Sequence, residues 1–150
     1  MKKEILKVIT ISEQETQKIG GLFAQEVLRF SSRQAAVVGL EGELGAGKTV
    51  FAKGFARGLG IQEEMKSPTF ILMRAFQVPH KNKMFLHFDA YRTHSAKEFL
   101  QIGFKNFLAD RRNVLLIEWA DMIKKILPKE YFRVALRHRK GRRREIAFYG

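Results

Sequence analysis

Apolar positions along the chain change their period several times, and each change marks a new element. Residues 5–9 (ILKVI) are a short apolar run that reads as a strand. Ser12 and Glu15 form a Ser-x-x-Glu pair ahead of a stretch with helical spacing that continues to about Arg29. Such a pair satisfies two orphan amides at a helix start. Residues 35–40 (AAVVGL) are apolar without interruption. That is the pattern of a parallel strand covered on both faces. A glycine-rich turn follows, then an amphipathic helix from Lys48 to about Leu59. Residues 69–78 and 84–89 read as strands joined by Pro79-His80-Lys81-Asn82-Lys83. Residues 95–110 have helical spacing with a break near Gly103, 114–118 (VLLIE) are a second buried strand, and 120–126 are a short helix. Residues 131–138 and 143–148 alternate with period two around Lys140-Gly141, which predicts a β-hairpin.

Strands alternating with helices predict an α/β fold, a sheet with helices on its faces. The two hairpin-like pairs make that sheet mixed and only partly parallel. No repeat or linker interrupts the 150 residues, so one domain spanning 1–150 is expected.

Composition narrows the function classes. The chain is 45% apolar with 13 Phe, enough for a packed core and unlike a disordered chain. It has no Cys, which excludes a disulfide scaffold, a thiol nucleophile and a zinc ribbon. No apolar run approaches the ~18 residues of a membrane helix. The N-terminal residues lack the apolar stretch of a secretory leader, so the expectation is a cytoplasmic protein with no membrane contact. The charge is uneven. Residues 1–75 carry 11 basic and 8 acidic side chains, whereas residues 76–150 carry 17 and 7. A basic second half suits a polyanionic partner.

The sharpest signal is Gly42-Glu43-Leu44-Gly45-Ala46-Gly47-Lys48-Thr49, which fits G-x-x-x-x-G-K-[ST], the Walker A motif. Glycines let successive N–H groups turn inward, and with the following helix start these make an anion cradle. Lys48 would reach the β and γ phosphates, and Thr49 would offer its hydroxyl to Mg2+. Chance alone would produce the motif in about 0.5% of chains this long at ordinary residue frequencies. Its place between an apolar strand and a helix lowers that further. Glu43, Leu44, Gly45, Ala46, Gly47, Lys48, Thr49 and Val50 are therefore the expected nucleotide-binding residues, with Lys48 also catalytic.

Two acids end apolar runs, Asp89 in FLHFD and Glu118 in VLLIE. Ligands of open α/β sheets sit at the carboxyl ends of strands, so both would face the phosphates. One would hold Mg2+ and the other would orient the attacking water; the reading favours Asp89 on the metal and Glu118 on the water. Trp119, the sole Trp, could pack over the nucleotide or fill the core, and Asp121 reads as a helix N-terminal charge. Thr69, in Ser67-Pro68-Thr69-Phe70, could sense a γ-phosphate as switch threonines do, or the segment could be a simple turn into a strand. Neither Asn-Lys-x-Asp nor Asp-x-x-Gly occurs, which argues against a GTPase. A small P-loop kinase is the alternative enzyme, although the internal arginine pair Arg111-Arg112 is a short lid. A basic RNA-binding module with a vestigial loop is the non-enzymatic alternative.

The ordered series Gly42–Thr49, Ser67-Pro68-Thr69-Phe70, His87-Phe88-Asp89-Ala90-Tyr91-Arg92, Glu98 with Gly103, and Ile117-Glu118-Trp119 resembles the bacterial TsaE family, formerly YjeE. The resemblance runs from the first helix to the final hairpin. It implies a P-loop NTPase-like three-layer sandwich that binds ATP and ADP with Mg2+ and hydrolyses ATP slowly when alone. It further implies TsaB and TsaD as partners in making tRNA threonylcarbamoyladenosine beside the anticodon. Carried onto this chain, Asp89 and Glu118 match the family's essential acids, with Thr49 as the loop's metal ligand. Thr69 matches a switch-like segment and Trp119 a tryptophan beside the nucleotide. Arg92 is a candidate internal arginine finger. The segment Arg137–Arg144 holds six Lys or Arg in eight positions and is a candidate tRNA contact at the C-terminal hairpin.

Overall fold

The computed structural model of the protein describes residues 2–64, 72–91 and 96–150. Among them a mixed sheet of seven strands runs through the molecule: β1 (Glu4–Thr10), β2 (Ala36–Glu41), β3 (Met73–Gln77), β4 (Met84–Asp89), β5 (Asn113–Glu118), β6 (Phe132–His138) and β7 (Arg144–Tyr149). Their order is β1-β7-β6-β2-β5-β4-β3. β6, β2, β5 and β4 are mutually parallel, and the antiparallel pairs β7–β6, β1–β7 and β3–β4 flank that block.

The parallel strands are apolar on both faces because helices cover both. Val38 and Leu40 of β2 and Val114 and Leu116 of β5 pack against α1 (Glu13–Arg29) and α2 (Lys48–Gly58), through Ala24, Val27, Phe51 and Phe55. The intervening residues Val37, Leu115 and Ile117 point the other way. They meet Phe99 of α3 (Ala96–Gln101), Phe104 of α4 (Phe104–Ala109) and Ile123 of a 3-10 helix (Ala120–Ile126). The result is the three-layer α/β sandwich with a partly parallel sheet and a C-terminal hairpin that the sequence predicted.

Several local expectations are met with small differences. Ser12 Oγ accepts from Glu15 N–H at 3.1 Å, and the Glu15 carboxylate accepts from Ile11 N–H at 3.0 Å, one residue earlier than the usual reciprocal bond. The break at Gly103 is real, with φ of 92° between α3 and α4. The segment after Trp119 winds as a 3-10 helix with an irregular Ile123, since seven residues are too few for apolar spacing to distinguish helix types. Strand β3 begins at Met73, and the expected earlier start at Thr69 falls outside the described residues, as does Arg92.

Strand direction decides what gathers at one edge of the sheet. β2, β4 and β5 end side by side, with Leu40 and Asp89 both register partners of Glu118. β6 is parallel to β2, so the β6–β7 turn emerges at the same edge. β1 runs antiparallel to β7 with Thr10 opposite Arg144, which brings the start of α1 there as well.

α1 and α2 pack closely because glycines face each other. A Cβ on Gly54 would collide with the Gln17 backbone, and one on Gly58 with the Gly21 backbone. The Gln25 amide also donates to the Gly58 carbonyl. This contact sets the position of α2 and hence of the loop before it. Helix propensity alone would favour Gly54→Ala by about 1 kcal/mol. The backbone collision costs about 1–3 kcal/mol or more. Gly54→Ala is therefore expected to lower stability in urea denaturation, and a stabilised variant would contradict the close approach of the two helices.

Candidate functional site

After β2 the chain passes through Gly42–Gly47 and enters α2 at Lys48. Gly45 and Gly47 have φ of 78° and 103°, left-handed values that a side chain resists. A Cβ on Gly42 would strike the Leu136 carbonyl of β6. α2 starts without a side-chain cap and without an acid in its first turn. Its first N–H groups and the positive end of its dipole are thus available to an anion.

Lys48 is only 5% exposed. Its Nζ donates to the carbonyls of Gly42 at 2.6 Å and Glu43 at 2.7 Å. It also lies 3.9 Å from the centre of the Trp119 ring. Burial pulls the Lys48 pKa down, while Glu118, Asp121, Asp89 and Glu43 pull it back up. The ammonium is folded onto the loop that a phosphate would share with it.

Glu118 is the hub of the site, and it is buried. Thr49 Oγ1 donates to its Oε1 at 3.0 Å. His87 Nε2 is 2.6 Å from its Oε2. His87 Nδ1 is buried and has no hydrogen-bond partner among the described residues. The ring proton therefore belongs on Nε2, where it meets a carboxylate. Asp89, one strand away, is half-buried and accepts from Tyr91 N–H at 2.9 Å. Trp119 adopts φ of 61°, and its ring packs on Tyr91 with centroids 4.6 Å apart.

Leu44, Gly45, Gly47, Lys48, Thr49, Val50, Asp89, Glu118 and Trp119 line one cleft of about 810 Å3. Of the other expected residues, Ala46 is buried in the core beside α2, and Glu43 is exposed beside the cleft. Thr69 lies outside the described residues. The cleft also takes Ser12, Glu13, Gln14 and Thr16 from the start of α1, and Gly141, Arg142 and Arg144 from the β6–β7 hairpin. Sequence reasoning gave those residues no part in the site, and it gave His87 no role of its own. Only the strand order and the β1–β7 register could have found them.

Among the described residues, no three His, Cys, Asp or Glu groups form a metal cage. One hydroxyl and two carboxylates are what Mg2+ uses when water and phosphate oxygens complete its shell. The donor set thus fits that ion and a phosphate ligand together.

Removing one partner of a buried pair leaves the other uncompensated. His87→Ala is expected to cost about 2–4 kcal/mol in urea denaturation. A loss well under 1 kcal/mol would mean that water reaches Glu118.

The family model described as TsaE, Threonylcarbamoyl adenosine biosynthesis protein TsaE, matches residues 10–146. A tRNA threonylcarbamoyladenosine biosynthesis protein TsaE from Bacillus subtilis is 35% identical over 146 residues, covering 95% of this chain and 84% of that one. Its counterpart from Treponema pallidum is 35% identical over 141 residues, covering 94% and 98%. The crystal structure of YdiB from Bacillus subtilis superposes with a TM-score of 0.77 at 31% identity, covering 100% of this chain and 87% of that one. With its glycine loop, its two strand-end acids and these matches over nearly its full length, the chain belongs to the TsaE family of tRNA threonylcarbamoyladenosine biosynthesis.

Proposed function

We propose that residues 1–150 form a single P-loop ATPase domain, the ATP-binding and ATP-hydrolysing subunit that acts with TsaB and TsaD in the cytoplasm to modify tRNA. The observation that carries this reading is the cleft itself. The uncapped start of α2, the Lys48 ammonium and the Thr49–Glu118 hydrogen bond all open into it.

In this reading the loop amides from Leu44 to Val50 hold the phosphates, and Lys48 turns from the Gly42 and Glu43 carbonyls towards them. Thr49 and Asp89 hold Mg2+, with Glu118 beside them; when bound, the ion neutralises phosphate charge. Glu118 orients the attacking water. His87 on one oxygen and Thr49 on the other keep its carboxylate from rotating away. Trp119 and Tyr91 wall the cleft next to the nucleotide. Thr69 is the γ-phosphate sensor of this reading. Turnover is slow in the protein alone and rises when TsaB and TsaD bind. The exposed cations Arg137, Lys140 and Arg143 supply a salt-sensitive tRNA contact.

The test is phosphate release from ATP and Mg2+, by the protein alone and with purified TsaB and TsaD. Release is expected to rise with the partners. Lys48→Ala should abolish nucleotide binding. Glu118→Ala should keep binding but lose turnover, and Asp89→Ala should raise the Mg2+ concentration needed. Undiminished ATP binding by Lys48→Ala would overturn the site. A phosphorylated small-molecule acceptor in place of free phosphate would make the protein a kinase.

A further inference from the structure

The hairpin segment from Arg137 to Arg144 carries six cations in eight residues, and the fold divides them. Arg139 Nη2 is 2.7 Å from Glu145 Oε1, so that guanidinium is already neutralised. Arg137, Lys140 and Arg143 are exposed and do not line the cleft. Arg142 and Arg144 do line it, together with Gly45, Gly47 and Lys48. Arg144 is half-buried, and its Cδ and Nε lie 3.9 Å from the point where a Cβ on Gly47 would stand. Its side chain therefore passes beside the last glycine of the P-loop. Among the described residues neither Arg142 nor Arg144 has a carboxylate partner within ion-pair distance; Arg144 Nη1 donates only to the Arg143 carbonyl, at 3.2 Å.

The arrangement follows from two pairings distant in sequence. β6 runs parallel to β2 and so delivers its turn at the P-loop edge, and β7 starts at Arg144 between His138 and Thr10. A guanidinium that is partly withdrawn from water and lacks an anion gains most when one arrives. Its planar fork matches phosphate oxygens in pairs, which an ammonium cannot do.

We infer that Arg142 and Arg144 are nucleotide-binding residues, and that the hairpin lays their guanidinium groups on the phosphate chain of a nucleoside di- or triphosphate held by the P-loop. The inference rests on the nucleotide reading above and extends it to residues outside the Walker A motif. It divides the basic segment by function, with the two cations that line the cleft for the bound nucleotide and Arg137, Lys140 and Arg143 left for an outside partner.

Titration calorimetry with ATP and with ADP tests this on the full chain, using Arg142→Ala, Arg144→Ala, Arg144→Lys, Arg143→Ala and Lys48→Ala. Arg144→Ala is expected to weaken ATP binding by about tenfold or more, and Arg142→Ala by at least about threefold. Arg144→Lys should recover part of the loss, since it restores charge but not the fork. Arg143→Ala should bind ATP within about twofold of the parent, because its carbonyl contact is kept. In steady-state turnover the arginine variants should raise KM more than they lower kcat. Arg142 is exposed, so its replacement reads binding without a folding defect, and thermal melting checks Arg144→Ala. Parent-like ATP and ADP affinity in both alanine variants, with Lys48→Ala binding neither, would overturn the inference and leave the nucleotide site standing. Loss of tRNA binding with ATP affinity intact would overturn it in favour of a nucleic-acid contact. Undiminished ATP binding by Lys48→Ala would instead remove the nucleotide reading on which it rests.

Discussion

The carboxyl ends of four parallel strands share one edge of the sheet, and every group in the cleft depends on that edge. β2 delivers the glycine loop, β4 delivers Asp89, β5 delivers Glu118 and β6 delivers the hairpin turn. None of these groups is near another in the chain. Their meeting depends on register: Asp89 and Leu40 both lie opposite Glu118 on the neighbouring strands. A one-residue slip of β5 would turn Glu118 to the opposite face, among Phe99 and Phe104, and put Ile117 in its place. Residues 114–117 of β5 are apolar and alternate between two buried clusters, so such a slip would simply exchange one apolar set for another. The pattern therefore leaves that register weakly specified, and the polar ends must contribute to fixing it. Glu118 is held by His87 and Thr49, and Asn113 at the other end donates to the Phe107 carbonyl at 3.0 Å.

Glu118 thus has a structural and a chemical side. A carboxylate this deeply buried is costly unless its oxygens are both satisfied. His87 does so from within the sheet, and Thr49 does so from the first turn of α2. The hydrogen bond from Thr49 ties the start of α2 to the end of β5, while the glycine contact with α1 sets the helix from its outer side. The loop between β2 and α2 is fixed at both ends before any ligand arrives. Preorganised amides of this kind stabilise charge without the cost of reorienting.

The parts legible in the sequence were those set by local spacing. The period of the apolar residues located the strands and helices, and the Walker A spacing located the loop, because glycine positions and a following helix are neighbours in the chain. Asp89 and Glu118 were legible because each ends an apolar run. The contributions of Ser12, Arg142 and Arg144 were not, since they reach the cleft only through the pairings of β1 with β7 and of β6 with β2. His87 was hidden for a different reason. It lies two residues before Asp89 and shares its face of β4, yet an alternating strand pattern cannot say whether a buried histidine meets a carboxylate or an aromatic ring. It meets both, stacking on Phe85 at 6.2 Å while holding Glu118. Trp119 at φ of 61° was also beyond pattern reasoning, because a non-glycine residue in that region is retained only where its surroundings compensate the strain. Here Tyr91 and the Lys48 ammonium pack against its ring.

That strain has a consequence for how the cleft is built. Trp119 ends the strand that carries Glu118, and its left-handed turn starts the 3-10 helix at once. An extended residue there would carry the indole away from Lys48. The ammonium would then lose the aromatic face that helps offset its burial, a contribution of about 1–2 kcal/mol for a partly desolvated cation. The Gly42 and Glu43 carbonyls would still hold it, but only against the loop. The aromatic face adds to the carboxylates of Glu118, Asp121, Asp89 and Glu43 in favouring the charged lysine against the burial that lowers its pKa, and the charged form is the one that attracts phosphate. The strained backbone at the end of β5 and the electrostatics of the glycine loop after β2 are thereby coupled across neighbouring strands.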